Sequence, residues 1–225
     1  FEMSTRGTST AMGLMTALLM AGGLRAEVQD YEVGANSEVR FAGSSTVHDF
    51  VGVTSTVQGE VRFDPEDPLS ASGEIRIGAD DLRTGNAKRD RGMRNEALRT
   101  QEYPWITLEM RRFVPDVSAS TSTLMVGNIH GSLQLRGVEK MILVPASVDL
   151  SRNASLKVAG SVEIDMTDYG IRPPSSKILF VRVKVHPRVT VSFDLDLDVQ
   201  IDHQTHQARL DRIEALKARL TANGS

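Results

Sequence analysis

Residue types that carry out acid–base or nucleophilic chemistry cluster once in this 225-residue sequence, between Ser44 and Asp49. Ser44 or Ser45, together with His48 and Asp49, supplies the three residue types of a serine hydrolase. A small-molecule enzyme that uses His48 is therefore one interpretation. The sequence lacks a Gly-x-Ser-x-Gly nucleophile elbow, however, and Ser and Asp are common turn residues. We expect a turn with a locally hydrogen-bonded histidine, no enzymatic activity and no catalytic residue.

Metal-ligand residue types are present, but their spacing is not that of a metal site. His203 and His206 are three residues apart, with no H-E-x-x-H motif and no third ligand nearby. Asp194, Asp196 and Asp198 alternate along one predicted strand and would share one face. We expect that face to be solvated and to discourage edge pairing, with a weak Ca²⁺ site as the alternative. No metal site is predicted.

A group of basic residues lies in the middle of the chain and consists of Arg83, Lys88, Arg89, Arg91 and Arg94. One interpretation is a solvated helix face, on which Asp90 and Glu96 offset part of the charge. The other is a site for a lipid phosphate or for transient contact with an anionic membrane surface. The chain as a whole has a net charge of -3, so its charge does not predict a nucleic-acid partner.

The composition is that of an ordinary globular protein, and the length suits one domain of generous size or a smaller domain with tails. Hydrophobic residues make up 40% and charged residues 24% of the chain, so it can bury a core without disulfides. Cysteine is absent, which excludes disulfides, thiol catalysis and a lipidated cysteine. Aromatic residues make up 5%, which argues against a base-stacking platform for nucleic acids.

Residues 1–26 have the features of a signal peptide. The apolar run AMGLMTALLMAGGL at 11–24 has the length of a signal-peptide core and is short for a membrane span. Arg6 precedes this run, and Ala26 supplies a small residue at the cleavage position, although Leu24 two residues earlier is not small. We predict a periplasmic or secreted protein that begins near Glu27. A buried N-terminal helix is the alternative.

Within the predicted barrel domain at 27–202, hydrophobic residues recur with a period of two from Glu38 to about Asp202. Such runs occur at 57–63, 106–110 and 129–135, and the clearest are at 181–185 and 189–199. This alternation places one row of side chains in the interior and the other in water. About eight such segments follow one another without a long helical crossover, which indicates an antiparallel sheet. We predict an all-β, lipocalin-like barrel of about eight strands, because closure removes exposed sheet edges.

Two short segments and the C-terminal tail have other patterns. Residues 88–99 are polar, with apolar residues spaced as in one short inserted helix, and residues 135–140 predict a tight hairpin in which Gly137 adopts positive φ. In residues 203–225, four apolar residues fall on one helical stripe: Leu210, Ile213, Leu216 and Leu220. We predict a C-terminal amphipathic helix, packed on the barrel or in contact with a partner.

Four blocks of sequence resemble the YceI-like family. They are SSTVHDF at 44–50, DLRTGN at 81–86 followed by MRNEAL and YPWI, GSLQLRGVEK at 131–140, and MTDYGIRPP at 166–174. The blocks occur in the family's order and span residues 38–201. This chain has Arg91-Gly92-Met93 where the family's best-known form carries a histidine, and it lacks that form's aromatic pair after the helix.

The resemblance implies an extended lipocalin-like barrel in the periplasm or outside the cell. It implies an apolar lumen that holds a long isoprenoid, quinone-like or amide-bearing lipid, with no other cofactor, and it implies homodimers. Because about 0.8 kcal/mol is gained per buried CH₂ group, a long apolar chain binds such a lumen with little polar recognition. We therefore predict a non-catalytic lipid-binding and carrier protein. The alternative is a structural or interaction module whose barrel is filled by side chains and which docks through its C-terminal helix.

Residues expected at the ligand divide into an apolar lumen and a polar rim. The lumen candidates are Phe50, Phe63, Leu82, Met93, Leu98, Trp105, Leu108, Leu133, Leu135, Met166, Tyr169, Ile171 and Phe180. The rim candidates are His48, Arg89 and Arg94. Methionine side chains are flexible and adapt to a kinked chain.

Overall fold

The computed structural model describes residues 29–152, 154–178 and 181–200. Most of these residues lie in strands, with one helical segment between the fifth and sixth strands. The strands are β1 Gln29–Val33, β2 Glu38–Ser45, β3 Asp49–Thr54, β4 Val57–Phe63, β5 Ser72–Gly78, β6 Trp105–Pro115, β7 Leu124–Leu135, β8 Val138–Asp149, β9 Ser155–Asp165, β10 Ser175–Ile178 and β11 Val181–Val199. The helical segment is α1 Ala87–Gly92, which continues as a π-helical turn over Met93–Leu98; short 3₁₀ turns lie at Pro68–Ser70, Ala79–Asp81 and Met166–Tyr169.

Eight strands close into an antiparallel barrel. Their order around the ring is β1, β4, β5, β6, β7, β8, β9 and β11. The ring closes where Tyr31 of β1 pairs with Val199 of β11 and Val33 pairs with Leu197. β2 and β3 continue the sheet beside β1 on the same side of β11, and β10 forms a hairpin with the start of β11.

β11 is the strand that joins these parts. It has 19 residues and pairs with β9 on one side, and with β2 and then β1 on the other. Its register with β2 shifts between Val185 and Val189, as it does at a β-bulge. The alternating runs at 181–185 and 189–199 therefore belong to one continuous strand, because the bulge absorbs the break in period without ending the pairing.

The ladder between β8 and β9 is much shorter than either strand. It extends only from the pair of Ala146 with Gly160 to the pair of Asp149 with Lys157, although β8 has 12 residues and β9 has 11. The ladder ends beside Pro145, whose missing N–H cannot donate to a neighbouring strand. Within the described residues, positions 138–145 of β8 therefore pair with β7 alone.

Alternation along each strand builds the interior. In β6, Ile106, Leu108 and Met110 line the interior, while Glu109 on the other face is exposed. A register shift after Met110 changes the phase of the strand, so that Phe113 turns inward and is 1% exposed. The bulge thus keeps an apolar row inside the barrel past two consecutive arginines.

The connection between β7 and β8 is a two-residue turn. Leu135 pairs with Val138, and the two residues between them both have positive φ, 52° at Arg136 and 75° at Gly137. This is the geometry of a type I′ hairpin, whose twist matches that of the flanking strands. The predicted hairpin and the positive φ of Gly137 are confirmed.

The helical segment begins with a side-chain cap. The Asn86 carboxamide oxygen accepts hydrogen bonds from the backbone N–H groups of Lys88 and Arg89, at 3.1 and 3.0 Å, which satisfies two donors that a helix start leaves unpaired. The segment ends at Arg99, which has a left-handed φ of 54°. None of the described helices is long and apolar enough to cross a membrane.

The predicted fold class is confirmed in its main features. The chain is all-β, with a closed eight-stranded antiparallel barrel and a short inserted helix. The predicted signal segment at 1–26 and the predicted C-terminal helix at 203–225 lie outside the described residues. The three-part division of the chain therefore stays a prediction.

Gly137 and Gly92 form a matched pair for testing the hairpin. A Cβ at Gly137 would require an unfavourable φ and would lie 2.5 Å from Cε1 of Tyr103, so we expect Gly137→Ala to lower the free energy of unfolding by about 1–3 kcal/mol. Gly92 is helical, and apart from its own helix backbone no atom lies within 4 Å of the position that a Cβ would take there, so Gly92→Ala should raise the free energy of unfolding by about 0.5–1 kcal/mol. Urea unfolding followed by circular dichroism measures both. Equal effects of the two substitutions would contradict the steric role of Gly137 in the turn.

Candidate functional site

Two adjoining cavities lie in the barrel, as the described residues form it. The outer cavity has a volume of about 680 Å³ and the deeper one about 130 Å³. They share six apolar lining residues, which form a neck contributed by six different strands: Val39, Ile77, Ile106, Leu133, Ile164 and Val191. The outer cavity alone lies within the usual size range of small-molecule sites, roughly 300–1,000 Å³.

The deeper cavity is apolar throughout. All its lining residues are Val, Leu, Ile, Met or Phe. Its far end is closed by Phe63 of β4 and Phe113 of β6, whose rings meet edge to face with centroids 6.3 Å apart. An edge-to-face pair suits the ring quadrupoles and adds to the stability gained by burial. The two rings are 3% and 1% exposed and pack across this end of the lumen.

The outer cavity opens at the other end, between α1, the turn from β2 to β3 and the β10–β11 hairpin. Its lining includes polar residues that the deeper cavity lacks, namely Ser45, His48, Thr84, Asn86, Lys88, Arg89, Arg91, Asn95, Glu96 and Ser175. The site therefore changes from polar at the mouth to apolar below it. This gradient suits a ligand with a polar head and a long apolar tail.

Glycines in β2 and β3 make room for two aromatic rings in the wall of the outer cavity. Gly43 pairs with Phe50 and Gly52 pairs with Phe41, so each ring lies over a residue that has no side chain. A Cβ at Gly52 would approach the Phe41 ring to 2.0 Å. The two rings contact each other edge to face, with centroids 6.3 Å apart.

Arg89 of α1 is fixed at the mouth by several contacts. Its Nε donates to the Thr84 hydroxyl at 2.8 Å and its Nη2 donates to the Thr84 carbonyl at 3.1 Å. Its Nη1 lies 3.4 Å from Nε2 of His48, and its guanidinium carbon lies 4.9 Å from the centre of the Phe50 ring. A guanidinium over an aromatic face is attracted by the ring. Arg89 thus joins the helix to the β2–β3 turn.

Asp90 fixes the start of this helix from its buried side. It is 5% exposed, and its carboxylate accepts hydrogen bonds from both the backbone N–H and the hydroxyl of Thr84. The same Thr84 hydroxyl accepts the hydrogen bond from Arg89. Buried carboxylates need such partners to offset the loss of hydration. Thr84 therefore organises both charged residues.

The segment after β9 covers part of the same end of the barrel. Lys140 of β8 forms an ion pair with Asp168 at 3.0 Å, and the Arg136 guanidinium donates to the Gly170 carbonyl. The Thr167 hydroxyl and backbone N–H both donate to Asp165 and hold the pKa of that carboxyl below its usual range. Burial raises the pKa of the Tyr169 phenol above 10.0, and the Asp168 charge raises it further.

Most of the lumen residues predicted from sequence line one of the two cavities. The outer cavity contains Phe50, Leu82, Met93, Leu98, Leu133, Leu135, Met166 and Ile171. The deeper cavity contains Phe63, Leu108 and again Leu133. Of the three predicted rim residues, His48 and Arg89 lie at the mouth. Their contact with a ligand stays a prediction.

Four predicted site residues lie elsewhere in the fold or outside the described residues. Trp105 is 38% exposed with Arg76 stacked on its ring, because its neighbour Ile106 occupies the inward position of β6. Tyr169 is buried but lines neither cavity. Arg94 pairs with Asp80 at 3.4 Å instead of lining the mouth. Phe180 lies outside the described residues.

The Ser-His-Asp cluster forms a turn. The Ser45 hydroxyl donates to the His48 carbonyl at 2.8 Å and accepts from the backbone N–H groups of Val47 and His48. It therefore contacts the backbone of His48 and not the imidazole.

The aspartates that alternate along β11 have basic partners on the barrel wall. Asp194 pairs with Lys157 and Asp196 pairs with Arg152.

Sequence reasoning misses much of the lumen wall. Five of the six neck residues are absent from the predicted set, although they belong to inward rows of period-two segments: Val39, Ile77, Ile106, Ile164 and Val191. The signal that finds them is the strand alternation itself. The predicted candidates are instead chosen from the family-like blocks and for their large side chains. Those two criteria do not select the smaller aliphatic residues of the inward rows.

Comparisons with known proteins agree on one family. A family model described as YceI-like domain matches residues 31–197. A protein called UPF0312 from Shewanella denitrificans is 28% identical over 150 residues, which cover 62% of this chain and 73% of that protein.

Solved structures share the fold at low sequence identity. BcnA from Burkholderia cenocepacia matches with a TM-score of 0.60 and 18% identity, over 72% of this chain and 96% of that one. A polyisoprenoid binding domain from Saccharophagus degradans, implicated in plant cell wall breakdown, matches with a TM-score of 0.59 and 16% identity, over 77% and 100%. The YCEI protein of Campylobacter jejuni matches with a TM-score of 0.52 and 16% identity, over 67% and 85%.

Phe113 tests the closed end of the lumen. Because the ring is fully buried against Phe63, we expect Phe113→Ala to lower the free energy of unfolding by about 3–5 kcal/mol. Val117→Ala is the control, since Val117 is 84% exposed in the next loop and its truncation should change stability by less than about 0.5 kcal/mol. Urea unfolding compares the two. A change below about 1 kcal/mol for Phe113→Ala would show that the end is not tightly packed.

Proposed function

The chain belongs to the YceI-like family, and we propose that it binds and carries a long-chain isoprenoid or a related lipid in its barrel lumen, without catalysis. The observation that carries this proposal is the pair of adjoining cavities, which run from a polar mouth through an apolar neck to the closed end at Phe63 and Phe113. The name of the Saccharophagus degradans domain, a polyisoprenoid binding domain, supports the same ligand class.

The energetics favour a long and mostly apolar ligand. Burial of one five-carbon isoprene unit is worth on the order of 3 kcal/mol before the costs of association. The neck and the deeper cavity offer no hydrogen-bonding side chain, so they favour a chain over a polar molecule of equal size. Polar groups at the mouth, such as Arg89 and His48, would face the head of the ligand.

The proposal includes no chemical step. The Ser45 hydroxyl is engaged with the backbone of its own turn, and the His48 imidazole lies against the Arg89 guanidinium. A general base needs a nucleophile within hydrogen-bond distance, and this turn does not provide one.

The second candidate function is an interaction module whose barrel is filled by side chains. The volume of the outer cavity favours the carrier over this module.

We also propose that the protein works in the periplasm or outside the cell. The support is the sequence of residues 1–26, with its apolar run at 11–24 and Ala26 at the cleavage position. A carrier is useful in such an aqueous space because a long isoprenoid is nearly insoluble in water without a protein or a membrane around it.

Native mass spectrometry of the full chain, isolated from the compartment where it accumulates, tests the bound ligand directly. We expect a discrete lipid mass that is released on denaturation, and the same spectra report whether the chain forms the homodimer that its family resemblance implies. A protein that is free of lipid, and stays free after incubation with quinones and polyprenols, would favour the filled interaction module.

Leu133→Trp tests the lumen as the site of binding. Leu133 lies in the neck, and the tryptophan ring is larger than the leucine side chain that it replaces. The ring would therefore keep a lipid chain out of the deeper cavity and remove the burial of about one isoprene unit. We expect at least tenfold weaker binding of a long polyprenol and a smaller loss for farnesol, measured by competition with a fluorescent polyene lipid. Leu124→Trp, at an exposed position of β7, is the control. Equal binding by both variants would place the ligand elsewhere.

Cell fractionation and N-terminal sequencing test the location. We expect the mature chain outside the cytoplasm, beginning near Glu27, because Ala26 is the small residue at the end of the predicted signal peptide. Ala26→Arg should block cleavage and leave the precursor. A cytoplasmic, uncleaved chain would contradict the prediction and leave the lumen proposal intact.

A further inference from the structure

The mouth end of the barrel carries an exposed surface that combines basic side chains with one apolar side chain. We define this mouth surface by Val47, Lys88, Arg91 and Lys184, all of which are exposed. Lys88 and Arg91 line the mouth of the outer cavity. Val47 is at the tip of the β2–β3 turn, and Lys184 lies beside that turn, where its backbone carbonyl accepts a hydrogen bond from Thr46 at 3.0 Å.

Charge at the mouth is mainly positive. Among the described residues, four charged side chains line it, of which Lys88, Arg89 and Arg91 are basic and Glu96 is acidic. In the structure as described, Lys88, Arg91 and Lys184 form no ion pair with a carboxylate. Other exposed acidic residues at this end, Asp80, Glu102 and Asp168, form ion pairs with Arg94, Arg99 and Lys140, and Asp49 in the adjacent turn is also exposed. The mouth therefore keeps an excess of positive charge within a chain whose net charge is -3.

The opposite end of the barrel has the opposite charge. Three of its loops, at 64–71, 116–123 and 150–154, contain four acidic residues, Asp64, Glu66, Asp67 and Asp116, and one basic residue, Arg152, which forms an ion pair with Asp196. The barrel is therefore polarised along its axis. An anionic surface would attract the mouth end and repel the closed end, which orients the lumen toward that surface.

Val47 adds an apolar contact at the same end. It is 59% exposed, and its turn is held by the Ser45 hydroxyl, which binds the backbone at Val47 and at His48. An exposed apolar residue on a rigid turn enters the interfacial region of a bilayer without a further loss of backbone entropy. Basic residues beside it are attracted to anionic headgroups, by about 1 kcal/mol each near the surface.

We propose that the mouth surface docks on an anionic lipid bilayer, with Lys88, Arg91 and Lys184 at the headgroups and Val47 inserted between them. This proposal rests on the proposed function, since docking would set the open mouth against the membrane that supplies the lipid. The charge difference between the two ends of the barrel favours contact through the mouth end. The excess of positive charge at that end favours an anionic leaflet over a neutral one.

Vesicle co-sedimentation of the full chain tests the docking. We expect binding to phosphatidylcholine vesicles that contain phosphatidylglycerol, weaker binding as salt rises, and at least tenfold weaker binding to phosphatidylcholine alone. The double variant Lys88→Glu with Arg91→Glu should lose at least tenfold in partitioning. Arg62→Glu with Arg112→Glu, two exposed arginines on the barrel wall, changes the net charge equally and should retain most of the binding.

The apolar contact has its own matched pair. Val47→Asp should weaken vesicle binding at least threefold, while Val117→Asp, in a loop at the closed end, should have no effect. Equal effects of either pair, or equal binding to neutral and anionic vesicles, would overturn the proposal.

Loading with farnesol from solution, without vesicles, separates the two proposals. A wild-type chain that loads but does not bind vesicles refutes the docking alone. A chain that binds vesicles but does not load refutes the lipid-carrier function, and docking then stands only as a membrane contact. Val47→Asp should load like the wild type, because Val47 lies outside both cavities.

Discussion

Pairing between β1 and β11 is the contact on which the lumen depends. It joins the first and the last strand of the ring through a short register at Tyr31, Glu32 and Val33, and without it the inward rows of eight strands would face water at an open sheet. Closure buries residues such as Leu197, which is 2% exposed. The same closure sets the radius, because eight strands leave an interior that side chains nearly fill or that holds one narrow ligand. Most inward positions carry medium-sized aliphatic side chains, which do not fill the interior of the barrel, and the cavities are the space that they leave empty.

The fold follows from patterns that act over short distances. The period of two, the two positive-φ residues at the β7–β8 turn and the Asn86 cap are local properties, so the strands, the hairpin and the inserted helix can be predicted from sequence. The phase of a strand is harder to predict. Trp105 and Ile106 are adjacent and both apolar, so composition does not say which one faces the lumen. The alternation of Ile106, Leu108 and Met110 favours Ile106 as the inward residue, and the pairing of Ile77 with Ile106 across β5 and β6 fixes that phase in the sheet.

The contacts at the mouth are also difficult to predict, because they join residues that are far apart in the sequence. His48 and Arg89 could each be predicted as rim residues, but their contact spans 41 positions of sequence and depends on Thr84 and Phe50. The predicted rim residue Arg94 is drawn away by Asp80, a competing partner that sequence spacing does not reveal. Local chemistry therefore identifies the residue types of a site, whereas the paths of the strands decide which of them meet.

The short ladder between β8 and β9 has a mechanical consequence. A barrel wall resists expansion through its inter-strand hydrogen bonds, each worth about 1 kcal/mol net, and this seam has far fewer of them than its neighbours. Pro145 removes one donor from this seam in every conformation, because its ring nitrogen carries no hydrogen. Circumferential stiffness is therefore uneven, and a cargo of greater girth would be accommodated by splaying along the unpaired stretch of this seam, while the long ladders on either side of it, β7–β8 and β9–β11, keep their register.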